Sequence, residues 1–184
     1  YISYQRIKNG TFDDGLDNWT ASPAANAEVV NGVLKIKTSS GVQVSQSFDS
    51  ISGGHKLYIS YDAWKAQGAT VYPWVCLGIS GNNFKYTYEP ALTETKQMFS
   101  HLVDHTSAIV RLTFSRNTTN GGIYYVDNVV IYDVTEIFGA GNEPSLSECD
   151  NLFHGVEEYT IKEYVDTAVG SINEYVPDVF DAQR

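Results

Sequence analysis

Between Val29 and Val134, short runs rich in apolar and β-branched residues alternate with breaks at Gly, Asn and Ser: VLKIK, VQVSQSF, KLYISYDAW, TVYPWVCLGI, FKYTY, AIVRLTF and IYYVDNVVIYDV. Strand-length runs bounded by such turns predict an all-β fold, an antiparallel sandwich or barrel. Asn31-Gly32 and the GNN beginning at Gly81 read as tight turns, because Gly and Asn tolerate positive φ. Side chains alternate across a strand, so KLYISYDAW splits into Leu57, Ile59, Tyr61 and Ala63 on one face and Tyr58, Asp62 and Trp64 on the other. TVYPWVCLGI likewise sets Val71, Val75, Leu77 and Ile79 against Tyr72, Trp74 and Cys76. AIVRLTF sets Val110, Leu112 and Phe114 against Ile109, Arg111 and Thr113. Several strands thus offer an aliphatic face to a core and a second face that mixes aromatic with polar groups. Solvation alone does not call for two Trp on such a face.

After Asn142 the pattern turns helical. Ser145 with Glu148 forms an S-x-x-E capping box for a short helix ending near Phe153, entered past Pro144 after a turn on Gly139 and Gly141. Thr160 with Glu163 repeats the device. Behind it, Ile161, Val165, Ala168, Ile172 and Tyr175 follow a heptad spacing over about two heptads until Pro177, weakened by Gly170. Two readings of residues 160–176 stand side by side: an amphipathic helix packed on its own β-domain, or a short oligomerising helix that builds a homotrimer. The expected organisation is a β-domain over 1–134, a capping segment over 135–156, and a linker or oligomerisation helix over 157–184.

Composition narrows the function classes. In 184 residues, 42% hydrophobic side chains suffice for one core, while thirteen Tyr and three Trp exceed what that core uses. A net charge of -10 argues against a protein that tracks nucleic-acid phosphates, which takes clustered Lys and Arg. It also disfavours an anionic membrane surface. No apolar run approaches the roughly 18 residues of a membrane-spanning helix and no signal-peptide pattern opens the chain, so a soluble protein is expected. Tyr1 stands where an initiator Met would, and the sequence is expected to be part of a longer chain. Cys76 in a predicted strand and Cys149 in a predicted helix give neither a disulfide framework nor a metal spacing, and both are expected to be small buried residues.

Two stretches carry a resemblance. IKNGTFDDGLDNWT, Ile7 to Thr20, follows an N-G-x-F-E/D-x-G-x-x-x-W pattern, and YYVDNVVIY, Tyr124 to Tyr132, reads as a closing strand. Together they resemble the two ends of carbohydrate-binding modules with a galactose-binding-like jelly roll. The resemblance spans residues 7–134 and implies a jelly-roll β-sandwich with Phe12, Leu16 and Trp19 as core plugs. It says less about sugar binding, since the same fold serves as spacer and docking module. In such modules a structural calcium often ties the first strand to the last through an acidic residue in each. The matching positions are Asp13, where the pattern more often has Glu, and Asp127, and carboxylate oxygens suit Ca²⁺. Read without the resemblance, Asp13, Asp14 and Asp17 are turn residues in a polar loop. IFGAGNEPSLSECDNLF, Ile137 to Phe153, resembles a segment that closes a β-sandwich in structural proteins of tailed bacteriophages and prophages. TIKEYVDTAVGSI, Thr160 to Ile172, resembles linker helices of phage tail and fibre proteins. These imply a viral or prophage origin and do not name the virion part.

A sugar-binding face needs flat aromatics to stack on pyranose rings, beside planar polar groups for the hydroxyls. Tyr58, Asp62, Trp64, Tyr72, Trp74 and Arg111 offer that chemistry on one expected face, with Gln67, Tyr86 and Tyr88 as extensions. Each has a plainer alternative: Trp64 packed beneath a loop, Tyr72 shielding a sheet edge. His101 and His105, four apart around Asp104, could hold zinc on a helix, but Met98, Phe99 and Leu102 make the context strand-like and no third ligand is in sequence. No two carboxylates are marked as facing across a cleft, and there is no G-x-S-x-G, P-loop or H-E-x-x-H, so catalysis is not expected. Sequons at Asn9, Asn18 and Asn117 carry no meaning in a protein made by bacteria. The expected function is adhesion of a virion tail, baseplate or fibre module to surface glycans of a host bacterium, with weak single sites multiplied by avidity at the virion surface. The alternatives are a structural spacer or decoration domain contacting other virion proteins, and an accessory module of a secreted glycoside hydrolase.

Overall fold

The computed structural model describes residues 4–80, 83–116 and 119–154. Among these lie ten strands: β1 (Thr20–Ser22), β2 (Ala27–Val30), β3 (Val33–Lys37), β4 (Gln43–Ile51), β5 (Lys56–Lys65), β6 (Pro73–Ser80), β7 (Asn83–Tyr88), β8 (Gln97–Asp104), β9 (Ile109–Arg116) and β10 (Ile123–Asp133). They form two sheets, sheet A in the order β2-β3-β10-β5-β8 and sheet B in the order β1-β4-β9-β6-β7. All pairings are antiparallel, and the sheets stack as a jelly-roll sandwich. Asn31 and Gly32, at φ 52° and 72°, make the two-residue turn between β2 and β3 that the sequence predicts.

The core between the sheets uses the expected faces. Leu57, Ile59, Tyr61 and Ala63 of β5 meet Val75 and Leu77 of β6 and Leu112 and Phe114 of β9. Ile109, assigned by alternation to the opposite side, is also in the core. A register shift where β4 pairs β9, between Ser47 and Ile51, lets Ile109 and Leu112 both turn inward. Ile7 to Asn18 is a run of turns rather than a strand, with positive φ at Asn9, Phe12, Gly15 and Asn18. It plugs one end of the sandwich: Phe12 is fully buried, and Trp19 packs between it and Phe114, at ring-centroid distances of 5.3 and 6.0 Å. The Trp19 indole N–H donates to the Asn9 carbonyl at 3.0 Å, which satisfies its polar atom.

The capping segment begins earlier than its glycines suggest. Helix α1 (Val134–Phe138) follows β10 without a turn, because the Asp133 carboxylate caps it by accepting from the Glu136 amide. Asp133 also holds His55 at 2.8 Å, and Arg6 pairs with Glu136, so one corner joins the N-terminal segment, the β4–β5 turn and α1. Gly139 and Gly141, at φ 88° and 84°, then turn the chain into α2 (Leu146–Phe153), whose capping box between Ser145 and Glu148 is complete. The two helices cover part of the outer face of sheet A. Tyr58 and Tyr132 of that face form a second apolar cluster with Val134, Ile137, Phe138, Cys149 and Leu152. Both cysteines are free and buried. The heptad seam of residues 160–176, with its two readings, lies outside the described residues.

Two expectations follow. Phe138 is fully buried in the second cluster, so Phe138→Ala should cost about 3–5 kcal/mol, as in a sandwich core. Denaturant unfolding with m unchanged would report it; an unaltered midpoint would make the segment a loose tail. His101 stacks on Tyr88 across the sandwich at 3.7 Å, and burial lowers its pKa below the usual 6.5. A neutral buried His takes up fewer protons than the unfolded chain, so stability drops as pH falls below about 6.5. Melting at pH 7.5 and pH 5 should show a smaller acid loss for His101→Phe than for wild type.

Candidate functional site

The six expected site residues do not share a face. Apart from Ile109, alternation sorted the sides of β5, β6 and β9, but β5 belongs to sheet A while β6 and β9 belong to sheet B, so their outer sides point in opposite directions. Tyr72, Trp74 and Arg111 lie with sheet B; Tyr58, Asp62 and Trp64 lie on sheet A.

On the outer side of sheet B, cross-strand register sets out rows. Trp74 lies opposite Ser115, Cys76 opposite Thr113 and Thr87, Thr113 opposite Ser45, and Gly78 opposite Arg111 and Phe84. Trp74, half-buried, is fixed by its indole N–H donating to Glu89 Oε1 at 2.8 Å. Tyr72, 54% exposed, lines with Glu89, Lys65 and Leu92 a cavity of about 380 Å³ just beyond. The middle of the face is a polar floor. Arg111 Nη2 donates to Ser45 Oγ at 2.6 Å, Thr87 Oγ1 approaches Cys76 Sγ at 3.7 Å, and burial raises the Cys76 pKa, keeping it a thiol. Thr113 Oγ1 is buried without a hydrogen-bond partner. At the far end, Phe84 sits beside Gly78, where a Cβ would come within 3.6 Å of the ring. Sequence reasoning missed Phe84, Glu89 and Thr113. The FKYTY run was visible, but Tyr86 and Tyr88 were chosen from it. Register shifts in the β6–β7 pairing accompany the reversal: the tyrosines pack against the core and Phe84 lies by Gly78. Gln67 is exposed on the loop after β5.

Sheet A offers less. Tyr58 is fully buried beneath the helices: its hydroxyl donates to Asp150 Oδ1 at 2.8 Å, and His154 Nε2 lies 3.0 Å from that hydroxyl and 2.6 Å from Ser60 Oγ. It cannot meet a ligand while the helices are docked. Trp64 stacks on Tyr125 at 5.3 Å and carries the Lys96 ammonium 5.2 Å from its ring centroid, so its faces are engaged within the protein. Asp62 accepts from Asn128 Nδ2 at 2.7 Å.

The expected calcium pair does not fit the side chains present. Lys96 Nζ lies 2.6 Å from Asp127 Oδ2 and 3.6 Å from Asp62 Oδ2, and Asp127 Oδ1 accepts from the Asn128 amide. A resident ammonium thus stands where a cation would be bound. Asp13 accepts from Thr11 Oγ1 at 2.7 Å instead of reaching towards Asp127. Among the described residues no three or more His, Cys, Asp or Glu side chains are grouped to hold a metal. His101 and His105 follow the strand-like reading: His101 stacks on Tyr88, and His105 Nδ1 lies 2.8 Å from the Ser107 carbonyl oxygen.

No protein-family model and no curated protein matches the sequence. Solved structures do. A CBM4 module aligns at TM-score 0.56 and 20% identity, over 68% of this chain and 98% of its own. The second N-terminal cellulose-binding domain of Cellulomonas fimi β-1,4-glucanase C aligns at 0.53 and 12%, over 70% and 94%. A family 16 carbohydrate-binding module aligns at 0.52 and 14%, over 68% and 97%. The chain therefore has the fold of carbohydrate-binding modules, and identities this low carry the fold alone. No helix among the described residues is long and apolar enough to cross a membrane.

Replacing Lys96 tests the ammonium-for-metal arrangement. Asp127 is only 9% exposed, and leaving its carboxylate unpaired in Lys96→Met should cost about 1–3 kcal/mol. A chelator should leave the wild-type melting temperature unchanged. A chelator-dependent drop would show that calcium displaces the lysine.

Proposed function

We propose that this chain binds glycans without transforming them, along the outer face of sheet B. The observation that carries the reading is the pairing of Trp74 at one end of β6 with Phe84 beside Gly78 at the other, over a floor of hydroxyls and a guanidinium. Strands rise about 3.3 Å per residue, so Trp74 and Gly78 are about 13 Å apart, more than one sugar ring spans. A ligand touching both ends is an oligosaccharide lying along the strand. Aromatic platforms give stacking, and Arg111 and Glu89 supply a donor and an acceptor to ring hydroxyls, while Ser45 and Thr113 are buried beneath them as support. The one carboxylate placed there, Glu89, is committed to Trp74, so the arrangement supplies recognition and no acid–base pair.

Two settings suit such a module. The resemblance of Ile137–Phe153 to phage closing segments favours a virion surface, where many copies turn weak sites into firm adhesion to a bacterial glycan. The cellulose-binding domain of a glucanase among the structural neighbours favours an accessory module of a secreted glycoside hydrolase. The genes beside the coding sequence separate the two.

Glycan-array and affinity-electrophoresis measurements on the full chain test the face. Trp74→Ala should lose about tenfold or more in affinity, in keeping with roughly 0.5–1.5 kcal/mol for an aromatic contact plus its buried area. Trp64→Ala, with folding verified by circular dichroism, should bind as wild type. The reverse ranking would place the site on sheet A.

A further inference from the structure

β1 pairs only with Gln43 to Ser45 of β4, so from Gln46 onward that edge of β4 has no strand beside it. The N-terminal segment passes there instead, but it does not pair backbone to backbone. The Lys8 amide donates to Gln46 Oε1 at 2.8 Å and Gln46 Nε2 returns a bond to the Lys8 carbonyl at 2.9 Å. A glutamine side chain takes the place of a peptide unit and sets the segment back from the strand. A cavity of about 650 Å³ results, with Lys8, Asn18, Ser47, Phe48 and Asp49 in its wall. That volume is within the range of small-molecule sites. Ser47 is also the cross-strand partner of Arg111, so the cavity adjoins the last row of the sheet B face.

Its chemistry is that of a polyol site. Lys8, Asn18, Ser47 and Asp49 are exposed, and their side chains make no hydrogen bond or ion pair among the described residues. An ammonium, an amide, a hydroxyl and a carboxylate supply both donors and acceptors, and the single charges of Lys8 and Asp49 cancel. Phe48, half-buried against the core, gives an apolar wall. We infer that this cavity is a second sugar subsite that takes one neutral pyranose ring, a branch or terminal residue of the glycan lying along sheet B. The inference rests on the proposed glycan-binding reading for the branch, but the cavity can be tested by itself.

The test is amide NMR of the full chain titrated with methyl glucoside, methyl galactoside and methyl mannoside, then with cellohexaose and a xyloglucan heptasaccharide. A single-ring glycoside should saturably shift the amides of Lys8, Asn18 and Ser47. Asn18→Ala and Asp49→Ala should weaken that response at least fivefold, and Trp74→Ala should leave it unchanged. The branched heptasaccharide should bind more tightly than the linear chain in wild type, and equally in Asp49→Ala. Binding of oligosaccharides at the Trp74 row with no response in the cavity, or a cavity response indifferent to Asn18 and Asp49, overturns the subsite and leaves the glycan-binding face standing. Silence at both places overturns both.

Discussion

The Tyr58 hydroxyl decides which side of this sandwich is open. It lies on the outer face of sheet A, donates to Asp150, and lies 3.0 Å from the imidazole of His154, while its ring lies 5.3 Å from that of Phe153. A phenol buried this completely costs free energy unless its polar atom is satisfied, and α2 supplies the partner. Burial and the bond to Asp150 push its pKa well above the ordinary tyrosine value, so it stays a neutral donor. With α1 and α2 docked, the part of sheet A around Tyr58 and Tyr132 forms a second apolar core. What remains of that face is knitted together by Lys96, Asp62, Asp127 and Asn128. The outer side of sheet B carries no helix among the described residues: Tyr72 and Trp74 stay exposed or half-buried there, while Ser45, Cys76 and Thr113 are buried between their neighbours.

The segment FGAGNEPSLSECDNLF is explained by this docking. Gly139 and Gly141 adopt positive φ, which costs glycine less than residues with a Cβ, and they fold the chain back after α1. The Glu143 carboxylate accepts from Thr135 Oγ1 and from the Gly141 amide, tying the turn to the corner beneath it. Cys149 and Leu152 face the sheet, and burial raises the Cys149 pKa to about 12, so it acts as an apolar filler. Each unusual residue of the stretch has a packing or turning role.

Alternation made most strands and their core faces legible, since a period of two is set by backbone geometry and burial follows it closely. Two things were not legible. The first is sheet membership: the outward sides of β5 and β6 read alike in sequence, yet the jelly roll sends these two consecutive strands to opposite sheets. That is why Trp64 and Trp74, grouped by composition, end on opposite sides. The second is irregularity, where one extra residue exchanges the faces. Register shifts put Ile109 in the core and bring Phe84, rather than Tyr86 or Tyr88, beside Gly78. The short strands β1 and β2 carried too few residues to show a period. Asp127 stood out only as the acidic position that the resemblance assigns to calcium, and its partner Lys96 is 31 residues away in sequence and invisible to a local pattern.

Closure of sheet A also fixes the polarity of the domain. His154, the last described residue, lies against Ser60 and Tyr58, so chain beyond it starts from the sheet A side. The face with Tyr72, Trp74 and Arg111 points the other way. The glycan-binding face proposed above thus lies opposite the capping helices. On the sheet A side, α2 meets the sandwich through Phe153, packed against Tyr58 and Tyr132. These rings pack with centroids 4.2 and 5.3 Å apart. An apolar cluster with a satisfied phenol makes this a firmly packed contact.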